Sequence, residues 1–234
     1  MSVVTINGPI GCGAIEVGKL VSANSELNYV DRLVFSQAAK MVGAPVPDLI
    51  NKEQRYVSTL TKVANFLQDA LEKSAISGIS GEPYFGRGIE MLPAETYTHL
   101  ISSQESKSQK LKDSAFIEAT SQVIQELAES GSVVIIGRGS NLILKEFPGV
   151  IHVGMVGSIG LRVETMMKRE LLDSDDAETY VENLEKARVG FFKKFFKVHP
   201  DDPSLYDFMI NMDVMSHVTA SDTISYVASL GPAQ

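Results

Sequence analysis

The feature that most constrains the fold is the stretch Val3–Gly18, in which a short apolar run is followed by a cluster of glycines. The β-branched residues at 3–6 are typical of a strand that is buried on both faces. Gly8, Gly11 and Gly13 come next, and the residues after them have the apolar spacing of an amphipathic helix. A strand, a glycine turn and a helix together direct backbone N–H groups and a helix N-terminus at a phosphate.

The spacing Gly8-x-x-x-x-Gly13 is that of a phosphate-binding loop, which normally continues with lysine and then serine or threonine. In this chain Ala14 and Ile15 occupy those two positions. The pattern therefore predicts a cradle of backbone donors that lacks the usual cation and the usual metal-binding hydroxyl. A tight strand-to-helix turn without a ligand stays open as the alternative.

A dinucleotide-binding turn is a weaker alternative for the same glycines. Asp31 stands about where an acidic residue would bind a ribose, but the motif requires glycine at the position that Glu16 occupies. Cys12 lies inside the glycine turn, where we interpret it as a small residue that fills a tight space rather than as a reactive thiol.

Composition excludes several classes of function. The 234 residues carry a net charge of −8, so there is no basic excess to bind a nucleic-acid backbone. The single cysteine excludes an internal disulfide, and the four histidines lack the spacing of metal ligands. No stretch reaches the roughly 18 apolar residues of a membrane span. We therefore expect a soluble cytoplasmic protein with no metal ligands of its own and with neither nucleic acid nor a membrane as partner.

The rest of the chain alternates short apolar runs with longer amphipathic ones. Further strands are predicted at 27–31, 132–136, 150–156 and 206–211, and helices at 113–130, 140–147, 161–172, 177–197 and 220–230. This alternation predicts an α/β fold with a doubly wound parallel sheet. Ligands of such sheets bind beyond the carboxyl ends of the strands, where the glycine loop, Asp31 and Arg138 are expected to meet.

Four arginines are candidates for binding a phosphoryl group. Arg138 follows a predicted buried strand directly, while Arg162 and Arg169 lie two turns apart on one predicted helix and Arg188 lies on the next. Arginine suits phosphoryl transfer because its planar fork donates two hydrogen bonds to one phosphate and keeps its charge when desolvated. A solvated surface charge is the alternative for each of them.

Two more arginines, Arg32 and Arg87, are candidate site residues. Arg32 follows Asp31 at the end of the second predicted strand. Arg87 lies in the segment 77–93, which is rich in glycine and proline and which we interpret as either a substrate-binding loop or a surface connector.

The order of these pieces resembles the cytidylate-kinase-like branch of the nucleoside monophosphate kinases. The resemblance covers nearly the whole chain and rests on short motifs: VTINGPIGCGAIEVG at 4–18, YVDR at 29–32, VVIIGRG at 133–139, the helix that contains Arg162, EKAR at 185–188 and YDFMINM at 206–212.

The resemblance implies a three-layer P-loop NTPase-like fold with a parallel five-stranded sheet, formed by a single domain over residues 1–234. It also implies a helical insertion that binds a nucleoside monophosphate at about 45–113 and a lid at about 159–200. The implied activity is transfer of the γ-phosphate of ATP to CMP or a related monophosphate, with Mg²⁺.

The resemblance also assigns roles to residues. The loop would bind the phosphates of ATP through Gly8, Gly11, Cys12, Gly13, Ala14 and Ile15. The resemblance places Asp31 and Arg138 at the nucleotide acceptor, and we expect Arg32, Arg87 and Arg169 to bind the acceptor as well. The charges that act in catalysis would come from Arg138, Arg162 and Arg188.

The loop departs from the pattern of this branch, whose members usually read Ser-Arg-x-x-Gly-Ser-Gly-Gly-Arg. Both of those arginines are missing between Asn7 and Ile15, and Ile15 offers Mg²⁺ no hydroxyl. Loss of a cation at the phosphates removes an interaction that strengthens in the transition state. A nucleotide-binding or regulatory protein with impaired catalysis is therefore the alternative on the same fold.

Overall fold

The computed structural model describes residues 2–31 and 107–231. The described strands are β1 (Val3–Asn7), β2 (Asn28–Val30), β3 (Val133–Ile136), β4 (Val150–Val156) and β5 (Phe208–Asn211). The described helices are α1 (Ala14–Ser25), α2 (Lys107–Ser130), α3 (Ser140–Ile143), α4 (Ile159–Glu170), α5 (Ser174–Phe196) and α6 (His217–Leu230), and a 3₁₀ turn spans Pro203–Leu205.

The described strands form one parallel sheet in the order β2-β3-β1-β4-β5. β1 is its central strand: Val3 lies opposite Val133 on one side and opposite Val150 on the other. Every residue of β1 is buried, as the β-branched run predicts. The α/β fold and the parallel five-stranded sheet are thereby confirmed, and the carboxyl ends of β1 and β3 lie side by side.

Helices cover both faces of this sheet. Successive residues of a strand point to opposite faces, so β1 contributes to two separate cores. Val4 and Ile6 pack with side chains of α1 and α6, whereas Val3 packs with side chains of α2 and with Leu144, which follows α3. The sheet therefore lies between two layers of helices, which confirms the three-layer architecture.

Several helix ends differ from their predicted positions. Three helices begin two or three residues earlier than the apolar spacing predicts because a polar side chain caps each of them. These caps are Ser158, Asp173 and Ser216, which accept hydrogen bonds from the N–H groups of Leu161, Asp176 and Thr219. In addition, the described part of α2 already includes residues 107–112, ahead of the predicted start at 113, and α3 ends at Ile143, where a turn replaces the predicted last turn of helix.

The predicted insertion and lid stay predictions. The insertion at 45–113 lies outside the described residues except for its last part, which belongs to α2. The region 159–200 contains α4 and α5, which pack against each other. Among the described helices, none is long and apolar enough to cross a lipid bilayer.

Candidate functional site

The glycine loop joins β1 to α1 and runs close to two other parts of the chain. Gly11 and Gly13 have φ angles of +86° and +89°, in the left-handed region that favours glycine. A Cβ atom on Gly11 would lie 2.6 Å from the carbonyl oxygen of Arg162. A Cβ atom on Gly13 would lie 2.5 Å from Nε2 of His217. Both positions therefore favour glycine for conformation, and Gly11 also requires it for space, because its close neighbour is backbone.

A second special turn follows β3. Gly137, Arg138 and Gly139 all have positive φ angles, of +73°, +60° and +69°. A left-handed arginine costs roughly 1–3 kcal/mol, so the rest of the structure must hold this conformation. Arg138 is buried despite its charge. The sequence predicted that Arg138 follows a buried strand, and the structure adds the strained backbone at that point.

The two turns border one cavity with a volume of about 110 Å³. Arg138, Arg169 and Arg188 line it, and they come from the β3 end, from α4 and from α5. The other residues that line it are Ile6, Asn7, Gly8, Pro9, Ile10, Gly11, Gly13, Ala14, Ile15, Asp31, Ile136, Gly137, Leu184 and Phe192. The cavity thus lies at the carboxyl ends of β1 and β3, where a parallel sheet binds ligands.

Arg188 is held by two acidic side chains. Its Nε and Nη2 atoms donate to Oε1 of Glu185 at 3.0 and 2.7 Å, and Nη2 also donates to Asp201. Burial by itself lowers the pKa of Arg188, but these two carboxylates outweigh it and the pKa is raised. Nη1 is buried and has no hydrogen-bond partner among the described residues. Arg188 is therefore a fixed, fully charged group at the cavity, and its Nη1 donor makes no hydrogen bond within the described residues.

Arg162 contacts the glycine loop itself. Its Nε donates to the carbonyl oxygen of Ile10 at 2.8 Å, and its Nη2 lies 3.4 Å from Glu185 Oε2. The same Oε2 accepts a hydrogen bond from the N–H of Ile10 at 3.2 Å. Arg162 is not among the described residues that line the cavity. It therefore fastens α4 to the loop, together with Glu185 of α5.

Arg169 and Asp31 lie on the border of the cavity. Arg169 donates from Nε to Glu170 Oε1 at 3.2 Å, and its Nη1 lies 3.7 Å from Glu16 Oε1. Asp31 is buried and accepts a hydrogen bond from the hydroxyl of Tyr29 at 3.1 Å. The remaining predicted site residues, Arg32 and Arg87, lie outside the described residues, so their roles stay predictions.

Cys12 is buried within the loop and does not border the cavity in the described part of the chain. Burial raises the pKa of its thiol to about 12, against smaller opposing effects from the Ala14 N–H and from Arg188 and Arg162. The thiol is therefore protonated and unreactive at neutral pH. This agrees with its interpretation as a small residue that fills the turn.

Three residues of this region were missed by sequence reasoning. Glu185 precedes Arg188 by three residues, a spacing at which helical side chains meet, so its pairing could have been found. Asn7 is the last residue of β1, and its place directly before Gly8 was a usable signal. His217 reaches Gly13 from the start of α6, and no local pattern in the sequence indicates that contact.

The described residues do not fit a protein-held Mg²⁺ ion. Magnesium prefers oxygen ligands, and Ile15 supplies none at the usual hydroxyl position. In the part of the chain that the structure describes, no group of three or more histidine, cysteine or acidic side chains is placed to hold a metal. Backbone N–H groups and arginines do suit phosphate oxygens.

The layers, the parallel sheet and the glycine loop define a kinase-like nucleotide-binding fold of the P-loop type. The chain belongs to the cytidylate kinase-like family, whose model matches residues 3–214. The family resemblance read from the sequence is thereby confirmed.

Two curated relatives are similar in sequence, and both are named cytidylate kinase. The one from Methanopyrus kandleri is 27% identical over 95 residues, which are 37% of this chain and 49% of that protein. The chain thus spans about half the length of this relative. The one from Lactococcus lactis subsp. lactis is 25% identical over 172 residues, which are 72% of this chain and 70% of that protein.

A solved structure supports the fold. An uncharacterized protein from Eubacterium ventriosum superposes with a TM-score of 0.58 at 15% identity, with 98% of each chain covered. At that identity the likeness shows the fold alone.

Proposed function

We propose that this protein binds ATP and transfers its γ-phosphate to a nucleoside monophosphate such as CMP. One observation carries the proposal: Arg138, Arg169 and Arg188 come from three separate elements and line one cavity together with the glycine loop. Membership of the cytidylate kinase-like family supports the choice of acceptor.

Phosphoryl transfer needs positive charge and hydrogen-bond donors around the moving group, and little covalent chemistry from the protein. In this proposal the loop N–H groups and the first turn of α1 bind the donor phosphates. Arg188 offers its spare Nη1 donor to the transferred group. Arg138 and Arg169 bind the acceptor phosphate. Mg²⁺ would arrive with the phosphates of the nucleotide, and no role is assigned to a protein ligand for it.

Binding without turnover is the second candidate function. It is favoured by one observation, namely that Ala14 and Ile15 border the cavity where a lysine and a hydroxyl residue normally stand. Backbone donors suffice to bind phosphate, but a missing cation is expected to slow the reaction by orders of magnitude.

The test is a panel of nucleotides with two matched variants. Release of ADP from ATP is measured with CMP, UMP, dCMP, AMP and GMP, with and without Mg²⁺, and binding is measured in parallel. We expect turnover with at least one pyrimidine monophosphate and a loss of about 100-fold in Arg138→Met. Lys145→Met, which changes a largely exposed side chain, is the control and is expected to match the wild type.

The other outcomes separate the candidates. Binding of nucleotide without turnover above background supports the second candidate and ends the first. Absence of binding to every mononucleotide overturns both. Stabilisation by NAD alone would favour the dinucleotide interpretation instead.

A further inference from the structure

Asn7 ends the central strand with a donor that nothing satisfies. The residue is only 3% exposed and borders the cavity. Its Nδ2 atom is buried and has no hydrogen-bond partner among the described residues. Buried amide groups are normally hydrogen-bonded, so an orphaned donor at a cavity indicates a missing acceptor.

A second orphaned donor borders the same cavity. Nη1 of Arg188, a residue that is 8% exposed, is buried without a partner in the described part of the chain. Asn7 belongs to β1 and Arg188 to α5, so the two donors reach the cavity from separate elements. A ligand that satisfies both must present acceptor atoms, and the guanidinium favours an anion.

The preceding residue on the same face of β1 has a different environment. Thr5 is two residues before Asn7, and its Oγ1 is hydrogen-bonded to Nδ1 of His152 at 2.8 Å. The strand therefore satisfies its buried polar group where the sheet surrounds it. The buried polar group of β1 that lacks a partner is the amide of Asn7, at the carboxyl end of the strand, where the cavity begins.

We infer that Asn7 is an oxyanion-binding residue whose side-chain amide donates to a phosphoryl group that Arg188 Nη1 also contacts. The ligand chemistry is a tetrahedral phosphoryl oxyanion, carried by a nucleotide or by free phosphate. The choice of a nucleotide rests on the proposed function. A phosphate-binding loop normally has a side-chain donor at the start of the helix, where this chain has Ala14. The amide of Asn7 provides a fixed side-chain donor at the end of the strand instead.

The substitution Asn7→Asp tests this inference because it keeps the shape and replaces the donor with an anionic acceptor. Calorimetric titrations use ATP, CMP, inorganic phosphate and adenosine as separate probes. For each phosphorylated probe that the wild type binds, we expect the affinity of Asn7→Asp to be at least 30-fold lower. The affinity for adenosine, which has no phosphate, is expected to stay within twofold of the wild type. Asn7→Ser, which keeps a shorter donor, is expected to lose less. Circular dichroism confirms folding of each variant.

The matched control is Asn211→Asp at the carboxyl end of β5. Asn211 ends a strand of the same sheet but is exposed and does not border the cavity in the described structure. Its Oδ1 accepts a hydrogen bond from the N–H of Asp213 at 3.0 Å, and aspartate keeps that acceptor. Affinity is expected to stay within twofold of the wild type.

The outcomes separate this inference from the proposed function. If the wild type binds phosphate but no nucleotide and Asn7→Asp abolishes that binding, the inference holds and the proposed function fails. If the wild type binds and turns over nucleotides, and Asn7→Asp and Asn7→Ser bind them within twofold of wild type, the inference is overturned and the function stands. Failure of the wild type to bind any phosphorylated probe overturns both.

Discussion

The glycine loop and the arginine-bearing elements contribute different properties to the proposed phosphate site. The loop supplies shape: its left-handed Gly11 and Gly13 let the backbone come close to its surroundings, and Ala14 adds no charge. The turn after β3 and helices α4 and α5 supply the cations that line the cavity. The comparison teaches that the shape of a glycine loop and the charge around it are set by separate parts of the chain, so one can be present without the other.

The two regions are joined at Ile10. Its N–H donates to Glu185 and its carbonyl oxygen accepts from Arg162, so α4 and α5 each hold one polar group of the loop. Glu185 also holds Arg188. A change in the arginine cluster is therefore expected to reach the loop, whereas a change within the loop leaves the arginines paired.

The largest effect is expected from Arg188→Met. The substitution removes the buried guanidinium that donates two hydrogen bonds to Glu185. Loss of this buried ion pair is expected to lower the free energy of unfolding by about 3–4 kcal/mol. Urea denaturation measures it. Lys186→Met is the control on the same helix, because its exposed pair with Glu182 contributes less than about 0.5 kcal/mol. A loss as small as that of the control would show that the cluster does not hold α5 in place.

Much of this fold could be predicted from the sequence, and the reasons are physical. β1, β3 and β4 are nearly continuous apolar runs because helices cover both faces of the sheet, so they stand out from their surroundings. The starts of α4 and α6 were harder to locate, since their caps at Ser158 and Ser216 are polar and fall outside the apolar spacing on which the prediction depended.

The candidate site was only partly predictable. Arg138 was found because a strand end next to glycines is a local pattern. The attachment of Arg162 to Ile10 was not found, because it depends on how α4 packs against a loop 152 residues earlier in the chain. The sequence indicated Asn7 only as part of the loop motif. Its unsatisfied Nδ2 donor became visible only when the structure placed the residue, buried, at the cavity.

The second effect restores charge to the loop. Ala14→Lys, combined with Ile15→Thr, is expected to raise turnover with ATP and Mg²⁺ by about 100-fold, because a cation at the phosphates acts mainly in the transition state. Steady-state kinetics measures it. Ala23→Lys makes the same change at an exposed position of α1 and is expected to leave turnover as it is. An unchanged rate in the double variant would mean that the arginines already supply the charge that the reaction uses.

The third effect tests the shape of the loop. Gly13→Ala is expected to cost about 1–3 kcal/mol, because alanine disfavours a φ of +89° and its Cβ would meet His217. Combining Gly13→Ala with His217→Ala should recover only the part of the stability loss that comes from the steric clash. Gly160→Ala is the control: no atom lies within 4 Å of its added Cβ, and alanine in a helix is expected to stabilise by about 0.5–1 kcal/mol. Full recovery in the double variant would exclude a contribution from the backbone angle.

The smallest effect concerns Cys12 and appears only at alkaline pH. The folded state raises the pKa of the thiol from 9.0 to about 12, so between these values the folded protein keeps a proton that the unfolded chain has lost. Stability is therefore expected to fall as pH rises above about 9, by about 1 kcal/mol at pH 10. Cys12→Ala lacks this dependence, so the difference in unfolding free energy between wild type and Cys12→Ala, measured at pH 7 and pH 10, isolates the thiol from other groups that titrate there. An equal difference at both pH values would mean that the loop opens enough to solvate the thiolate. In that case the loop would be less rigid than the arginine cluster to which it is fastened.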